Sequence, residues 1–265
     1  MTSTDLIYDG HRTRLKWHRA RRTIGDPPFS LERIVEGLVC GASVEIDVCV
    51  GHDGVPVIRH DPLRWWRHGR TAGSGPPTPL AAVGETLTAR GVKVLPASAS
   101  LQLDIKDPAR RITPDAAARV AAAVGPFVGS VIASGSDRVA VERIACREPR
   151  LSTGHDPCSR SAVRRLRRSG DVGRFVASAL AAAPDARMIY LDHRIILALS
   201  RLPTGPVDII AAFHNAGRTV DAYTLGGPDP ETLAQVRVLA GLQVDQITTD
   251  DPDGLYRVFR DDAGR

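Results

Sequence analysis

Short runs of β-branched and aliphatic residues alternate along the chain with Ala-rich stretches whose apolar positions recur every three or four residues. The short runs predict strands over Leu15–His18, Val44–Val50, Val55–Arg59, Leu101–Ile105 and Ser130–Ala133. Further strands are predicted over Leu151–Thr153, Met188–Leu191, Thr219–Tyr223 and Gln246–Thr248. Helical periodicity covers Leu31–Cys40, Pro114–Val124, Val139–Arg147, Val207–Ala216 and Pro230–Ala240, with Pro114 and Pro230 placed where a first-turn proline belongs. Strand–helix alternation implies parallel strands joined by crossover helices, and about eight such units in about 250 residues is the count of a closed (β/α)8, or TIM, barrel. An open doubly wound sheet is the rival architecture, but no Gly-x-Gly-x-x-Gly follows the first strand. No linker or low-complexity segment divides the chain, so residues 1–265 are expected to form one barrel domain.

Strands buried on both faces are expected to be apolar throughout, which makes polar residues at their C-terminal ends informative. These ends carry His18-Arg19, Glu45-x-Asp47, His60-Asp61, Asp104-x-Lys106, Ser134, Asp156, Asp192-His193, Tyr223-Thr224 and Asp250-Asp251. In a barrel they open onto the face where active sites are built. Glu45 and Asp47 are two residues apart and share one strand face, as do Asp104 and Lys106. Carboxylates gathered in this way repel unless positive charge separates them: either a hard divalent cation bound by Glu45, Asp47 and Asp104, or pairing with the chain's many arginines. His18 and His60 add a base and an acid suited to phosphoryl chemistry near neutral pH, and Arg19 and Lys106 supply charge for an anionic group.

Composition narrows the picture. Hydrophobic residues at 43% and charged residues at 25% are those of an ordinary folded domain. No run of 18 apolar residues is present, so no membrane span is expected. The first 30 residues lack the apolar core of a secretory signal. Four cysteines without C-x-x-C spacing suggest a reduced, cytoplasmic protein. The net charge of +5 comes with an arginine skew, only Lys16, Lys93 and Lys106 being lysine, and aromatics are 5%. No nucleic-acid-reading motif accompanies the charge, so nucleic acid is not expected as a partner. The densest basic run, Arg160 to Arg174, reads either as a solvated helix face or as a surface for an anionic lipid or substrate.

Several blocks in this order resemble the glycerophosphodiester phosphodiesterase family. They are Trp17-His18-Arg19-Ala20, Val44-Glu45-Ile46-Asp47-Val48, His52-Asp53-Gly54 leading to His60-Asp61, and Thr71-Ala72-Gly73-Ser74-Gly75. Later come Leu103-Asp104-Ile105-Lys106, Val220-Asp221-Ala222-Tyr223-Thr224 and Asp245-Gln246-Ile247-Thr248-Thr249-Asp250-Asp251-Pro252. The resemblance covers about residues 14–256. It implies a TIM barrel with a small insertion after the second strand, about residues 62–79, and a phosphoric diester hydrolase of lipid metabolism. The reaction it implies cleaves glycerophosphodiesters to glycerol 3-phosphate and an alcohol with one divalent cation, Mg²⁺ or Ca²⁺. By the same resemblance Glu45, Asp47 and Asp104 hold the metal, His18 and His60 are catalytic, and Arg19, Lys106 and Tyr223 bind phosphate or substrate.

The chain departs from the family pattern at several points. Ala20 stands where the family has glycine, Pro28-Phe29 where it has Glu-Asn, Asp104 where it has glutamate and Tyr223 where it has tryptophan. Two other readings therefore stay open. One is a lysophospholipase D-like or sphingomyelinase D-like enzyme on a lipid, with Trp65 and Trp66 either walling the mouth or packing within the insertion. The other is a catalytically weakened barrel that binds an anionic ligand. The expected partner is a small-molecule phosphodiester, with peripheral lipid contact allowed and no oligomeric state indicated.

Overall fold

In the computed structural model, which describes residues 5–51, 53–60, 77–202 and 205–263, the alternation resolves into eleven strands and ten α-helices among the described residues. The strands are β1 (Asp5–Tyr8), β2 (His11–Trp17), β3 (Ser43–Val50), β4 (Pro56–Ile58), β5 (Thr78–Pro79) and β6 (Ser100–Ile105). They continue with β7 (Val131–Gly135), β8 (Ser152–His155), β9 (Met188–Asp192), β10 (Thr219–Leu225) and β11 (Gln246–Thr249). The helices begin with α1 (Leu31–Cys40), α2 (Ala81–Ala89), α3 (Pro114–Val124), α4 (Arg138–Ala145) and α5 (Arg160–Ser169). They end with α6 (Val172–Ala182), α7 (His193–Leu199), α8 (Ile209–His214), α9 (Pro230–Gly241) and α10 (Pro252–Ala263).

The parallel strands follow the order β2-β11-β10-β9-β8-β7-β6-β3, each beside its neighbour in sequence. This is the order of a (β/α)8 barrel, and it lacks the reversal that marks an open doubly wound sheet. β1 pairs antiparallel with β2, and β4 and β5 add antiparallel strands to β3. Most of the insertion expected over 62–79, with Trp65, Trp66 and the Thr71–Gly75 block, lies outside the described residues; Thr78–Pro79 at its end forms β5. The chain divides into two compact units, one of residues up to Asp26 and from Gly154 onward, the other of Pro27–Thr153.

The helices start where the sequence supplies caps. Ser30 accepts from the Arg33 N–H ahead of α1, and Thr113 caps α3 with Pro114 in the first turn. Aspartate does the same work ahead of α4 (Asp137), α6 (Asp171), α7 (Asp192), α8 (Asp208) and α9 (Asp229). Each such cap satisfies otherwise orphaned N–H groups and contributes about 1 kcal/mol. α1 ends at Gly41, whose φ of 82° suits a residue without a Cβ.

The strands are not apolar throughout, contrary to the expectation for doubly buried strands. In β3 all eight residues are buried, yet Val44, Ile46 and Val48 alternate with Ser43, Glu45 and Asp47. β6 alternates Leu101, Leu103 and Ile105 with Ser100, Gln102 and Asp104. In the first unit Leu15, Ile189, Leu191, Val220, Ala222 and Ile247 cluster with Phe175, Ile195, Ile210, Phe213 and Val236 of the helices. That apolar layer is the core; burying each large side chain stabilises by about 1.5–3 kcal/mol. The opposite strand face is polar, and it is satisfied internally. Lys16 Nζ lies 2.6 Å from Asp221 Oδ2, and Thr248 donates to Asp221 Oδ1 at 2.7 Å. Lys16 also sits 4.6 Å above the Tyr190 ring. Gly154 leaves room for that ring, since a Cβ there would fall 2.4 Å from Tyr190 Cε2.

Candidate functional site

The acidic set forms within the second unit. Residue parity puts Glu45 and Asp47 on one face of β3, and the parallel register sets Asp47 opposite Asp104 of β6. Carboxylate oxygens of Glu45, Asp47 and Asp104 all lie within 4.8 Å of one another. Lys106, just beyond β6, places Nζ 2.6 Å from Asp47 Oδ1 and donates to Asp104 Oδ2. Burial pulls the Lys106 ammonium down, but Asp104 and Asp47 outweigh it and hold it above the ordinary lysine value. Three converging carboxylates that already draw a cationic group among them are the donor chemistry of a hard divalent ion.

Flanking residues hold this arrangement. Gln102 Nε2 donates to Ser134 Oγ at 2.8 Å. Asp107 accepts from the Val50 N–H at 2.6 Å and pairs with Arg111 at 3.2 Å, tying the end of β3 to the segment after β6. The Arg59 N–H donates to the Asp47 carbonyl, and exposed His60 is the next residue along the chain. Cys49 shares the strand parity of Glu45 and Asp47, but burial, Asp107 and Asp47 push its thiol up to about 12, so it is not a nucleophile at neutral pH.

The first unit carries its own polar strand ends. The strand predicted over Leu15–His18 stops at Trp17, and His18 opens a 3₁₀ turn instead. In that turn Arg19 and Ala20 both have positive φ, 54° and 58°. Ala20 is fully buried, so its methyl group is accommodated in a conformation that favours glycine. His18 Nδ1 lies 2.8 Å from Asp250 Oδ1, which also accepts from Arg21 at 3.2 Å. The bonds from His18 hold the Asp250 carboxyl below its ordinary value against partial burial, with Arg21 adding to the effect. A carboxylate accepting at Nδ1 fixes the proton there and leaves Nε2 to exchange protons.

Tyr223 donates its hydroxyl to Asp156 Oδ2 at 2.8 Å, and burial followed by Asp156 pushes the phenol far above its usual value. His193 Nδ1 lies 2.9 Å from the Tyr223 carbonyl. Cys158, raised to about 12 chiefly by burial, is as inert as Cys49. Asp250 carries no individual role in the sequence reading; its signal is its position at the end of a strand, and nothing local pairs it with His18. Asp156 and His193 read from the sequence as strand-end residues able to touch the substrate. Lys16 is likewise legible only as a charged residue inside a predicted strand.

No protein-family model and no curated protein matches the chain. Solved structures do. A glycerophosphodiester phosphodiesterase from Parabacteroides distasonis is 17% identical with a TM-score of 0.66, over 96% of this chain and 99% of that one. The enzyme of that name from Thermotoga maritima is 18% identical with a TM-score of 0.62, over 94% and 99% of the two chains. Another, from Agrobacterium tumefaciens, is 22% identical with a TM-score of 0.59, again over 94% and 99%. At these identities the likeness establishes the barrel fold along nearly the whole chain.

Proposed function

We propose that the protein is a metal-dependent phosphodiester hydrolase that cleaves glycerophosphodiesters to glycerol 3-phosphate and an alcohol. The observation that carries this reading is the convergence of Glu45, Asp47 and Asp104 within 4.8 Å, with Lys106 drawn among them. The names of the structural neighbours, each a glycerophosphodiester phosphodiesterase, support the same chemistry.

Glu45, Asp47 and Asp104 would hold one divalent cation, Mg²⁺ or Ca²⁺. When bound, that ion supplies Lewis-acid polarisation of the phosphate and of the substrate's 2-hydroxyl. His18 and His60 exchange protons as base and acid while the hydroxyl attacks phosphorus and the alcohol leaves, giving a cyclic phosphate that water then opens. Asp250 keeps the His18 proton on Nδ1, so Nε2 is the atom that takes part. Arg19 and Lys106 offset phosphate charge as it develops, and Tyr223, fixed by Asp156, borders the substrate.

A cytoplasmic setting is part of the proposal, resting on the cysteine spacing; among the described residues no helix is long and apolar enough to cross a membrane. The substrate is assigned by comparing glycerophosphocholine with its acylated counterpart, lysophosphatidylcholine, at equal concentration. Faster release of choline, the product common to both, from the soluble diester, with glycerol 3-phosphate as co-product, supports the proposal. Turnover of the acylated compound alone contradicts it.

A further inference from the structure

Helix α5 carries five arginines within the nine residues from Arg160 to Arg168. Several arginines elsewhere pair with carboxylates: Arg33 with Glu36, Arg138 with Glu142, Arg150 with Glu148, Arg194 with Asp192 and Arg260 with Asp261. Between Pro157 and Gly170 there is no acidic residue at all. Arg160, Arg164, Arg165, Arg167 and Arg168 are all exposed, and none has an ion pair or hydrogen bond from its side chain among the described residues. The carboxylates that flank the helix are engaged elsewhere: Asp156 accepts from Tyr223 and the Cys158 N–H, and Asp171 caps α6.

Helical geometry puts the five arginines on one side. Arg160, Arg164 and Arg168 form an i, i+4, i+8 stripe, and Arg165 and Arg167 flank it, all within an arc of about 160° at 100° per residue. The remaining arc holds buried Leu166 and half-buried Ala162 and Val163, which pack with the first unit's core. The helix therefore keeps its apolar side against the protein and turns the five arginines, with Ser161 among them, outward. Like charges at i, i+4 repel, so this face gains from an anionic surface that neutralises several at once. Arg174, exposed in the first turn of α6, extends the same basic run.

We propose that the α5 arginine face docks the protein onto an anionic lipid surface. A flat sheet of lipid phosphates needs nothing but charge from its partner, and clusters of four to eight basic residues suffice for such adsorption. Nucleic-acid binding by an arginine-rich surface more often adds stacking aromatics, and there is no Phe, Tyr or Trp between Pro157 and Arg174. α5 follows the C-terminal end of β8, the barrel face at which substrates enter. The choice of lipid rests in part on the diesterase reading, because phospholipid headgroups are the phosphodiesters nearest in kind to the proposed substrate.

Sedimentation of the full chain with vesicles tests the proposal. The protein is expected to bind phosphatidylcholine vesicles containing about 30 mol% phosphatidylglycerol, not pure phosphatidylcholine, and to be released between about 0.1 M and 1 M salt. The variant R160Q/R164Q/R165Q/R167Q/R168Q should lose at least about tenfold in binding. The matching five-lysine variant should keep it, which separates lost charge from a misfolded helix. Glycerol 3-phosphate release from soluble glycerophosphocholine is followed separately, so failure of the diesterase reading does not touch the vesicle result. Equal binding to neutral and anionic vesicles, unchanged binding by the glutamine variant, or tighter binding to duplex DNA than to vesicles at equal phosphate would each overturn the proposal.

Discussion

Nδ1 of His18 and Oδ1 of Asp250 stand 2.8 Å apart although 232 residues separate them in sequence. Parallel pairing of β2 with β11 brings them together, since Trp17 lies opposite Thr249 and each strand is followed at once by its polar residue. Asp250 thus acts on the reaction through His18. Replacing it by asparagine keeps the size but lets an amide donate to Nδ1, moving the proton to Nε2 and removing the base. Asp250→Asn is expected to lower kcat by about a hundredfold or more with little change in KM. Equal losses from Asp250→Asn and Asp250→Ala with KM raised in both would instead assign Asp250 to substrate binding.

The same pair predicts a pH effect on stability. The folded Asp250 carboxyl titrates below its ordinary value, so its contribution is present above about pH 4 and is lost as pH falls through the lower folded value. The stability difference between wild type and Asp250→Asn, measured by denaturant unfolding, should be constant above about pH 5 and shrink below about pH 4. A difference that grows in acid would contradict the assignment.

Lys16 and Asp221 are both almost completely buried, and each is the other's counter-charge at 2.6 Å. Removing one leaves the other charged in the interior. Lys16→Met is expected to cost about 3–5 kcal/mol, whereas Lys16→Met with Asp221→Leu should recover most of that loss. Additive losses in this double-mutant cycle would show that the pair is not coupled.

Ala20 occupies left-handed backbone at φ 58° that a glycine would adopt without strain. Ala20→Gly relieves that strain but loosens the unfolded chain, and the net gain should be about 0.5–1 kcal/mol. In a chain of this size the melting temperature should rise by about 1–4 °C. A fall would mean that packing of the buried methyl group outweighs the strain.

Much of this architecture is legible in the sequence because its signals are local. Helices Leu31–Cys40 and Pro114–Val124 match their predicted bounds, since Ser30 and Thr113 announce their starts and the apolar spacing their lengths. The Glu45, Asp47 and Asp104 set is also local in origin: two residues share a strand face, and the third lies on the next parallel strand. What escaped depends on distant partners. Lys16 in a buried strand makes sense only beside Asp221, Thr248 and Tyr190. The expectation of wholly apolar strands failed for that reason: the polar face of the sheet is satisfied by pairs that no window of sequence contains. The strand formers before His18 predict a strand through it, while the turn it opens is set by the backbone of Arg19 and Ala20.

Release of glycerol 3-phosphate from glycerophosphocholine tests the central claim most directly, measured for wild type and His18→Ala with Mg²⁺ or Ca²⁺ and again with a chelator. The account predicts turnover by wild type with a divalent cation, its loss in chelator, and a fall of about a hundredfold or more in His18→Ala. Equal rates for wild type and His18→Ala, or no release with either cation, would contradict it.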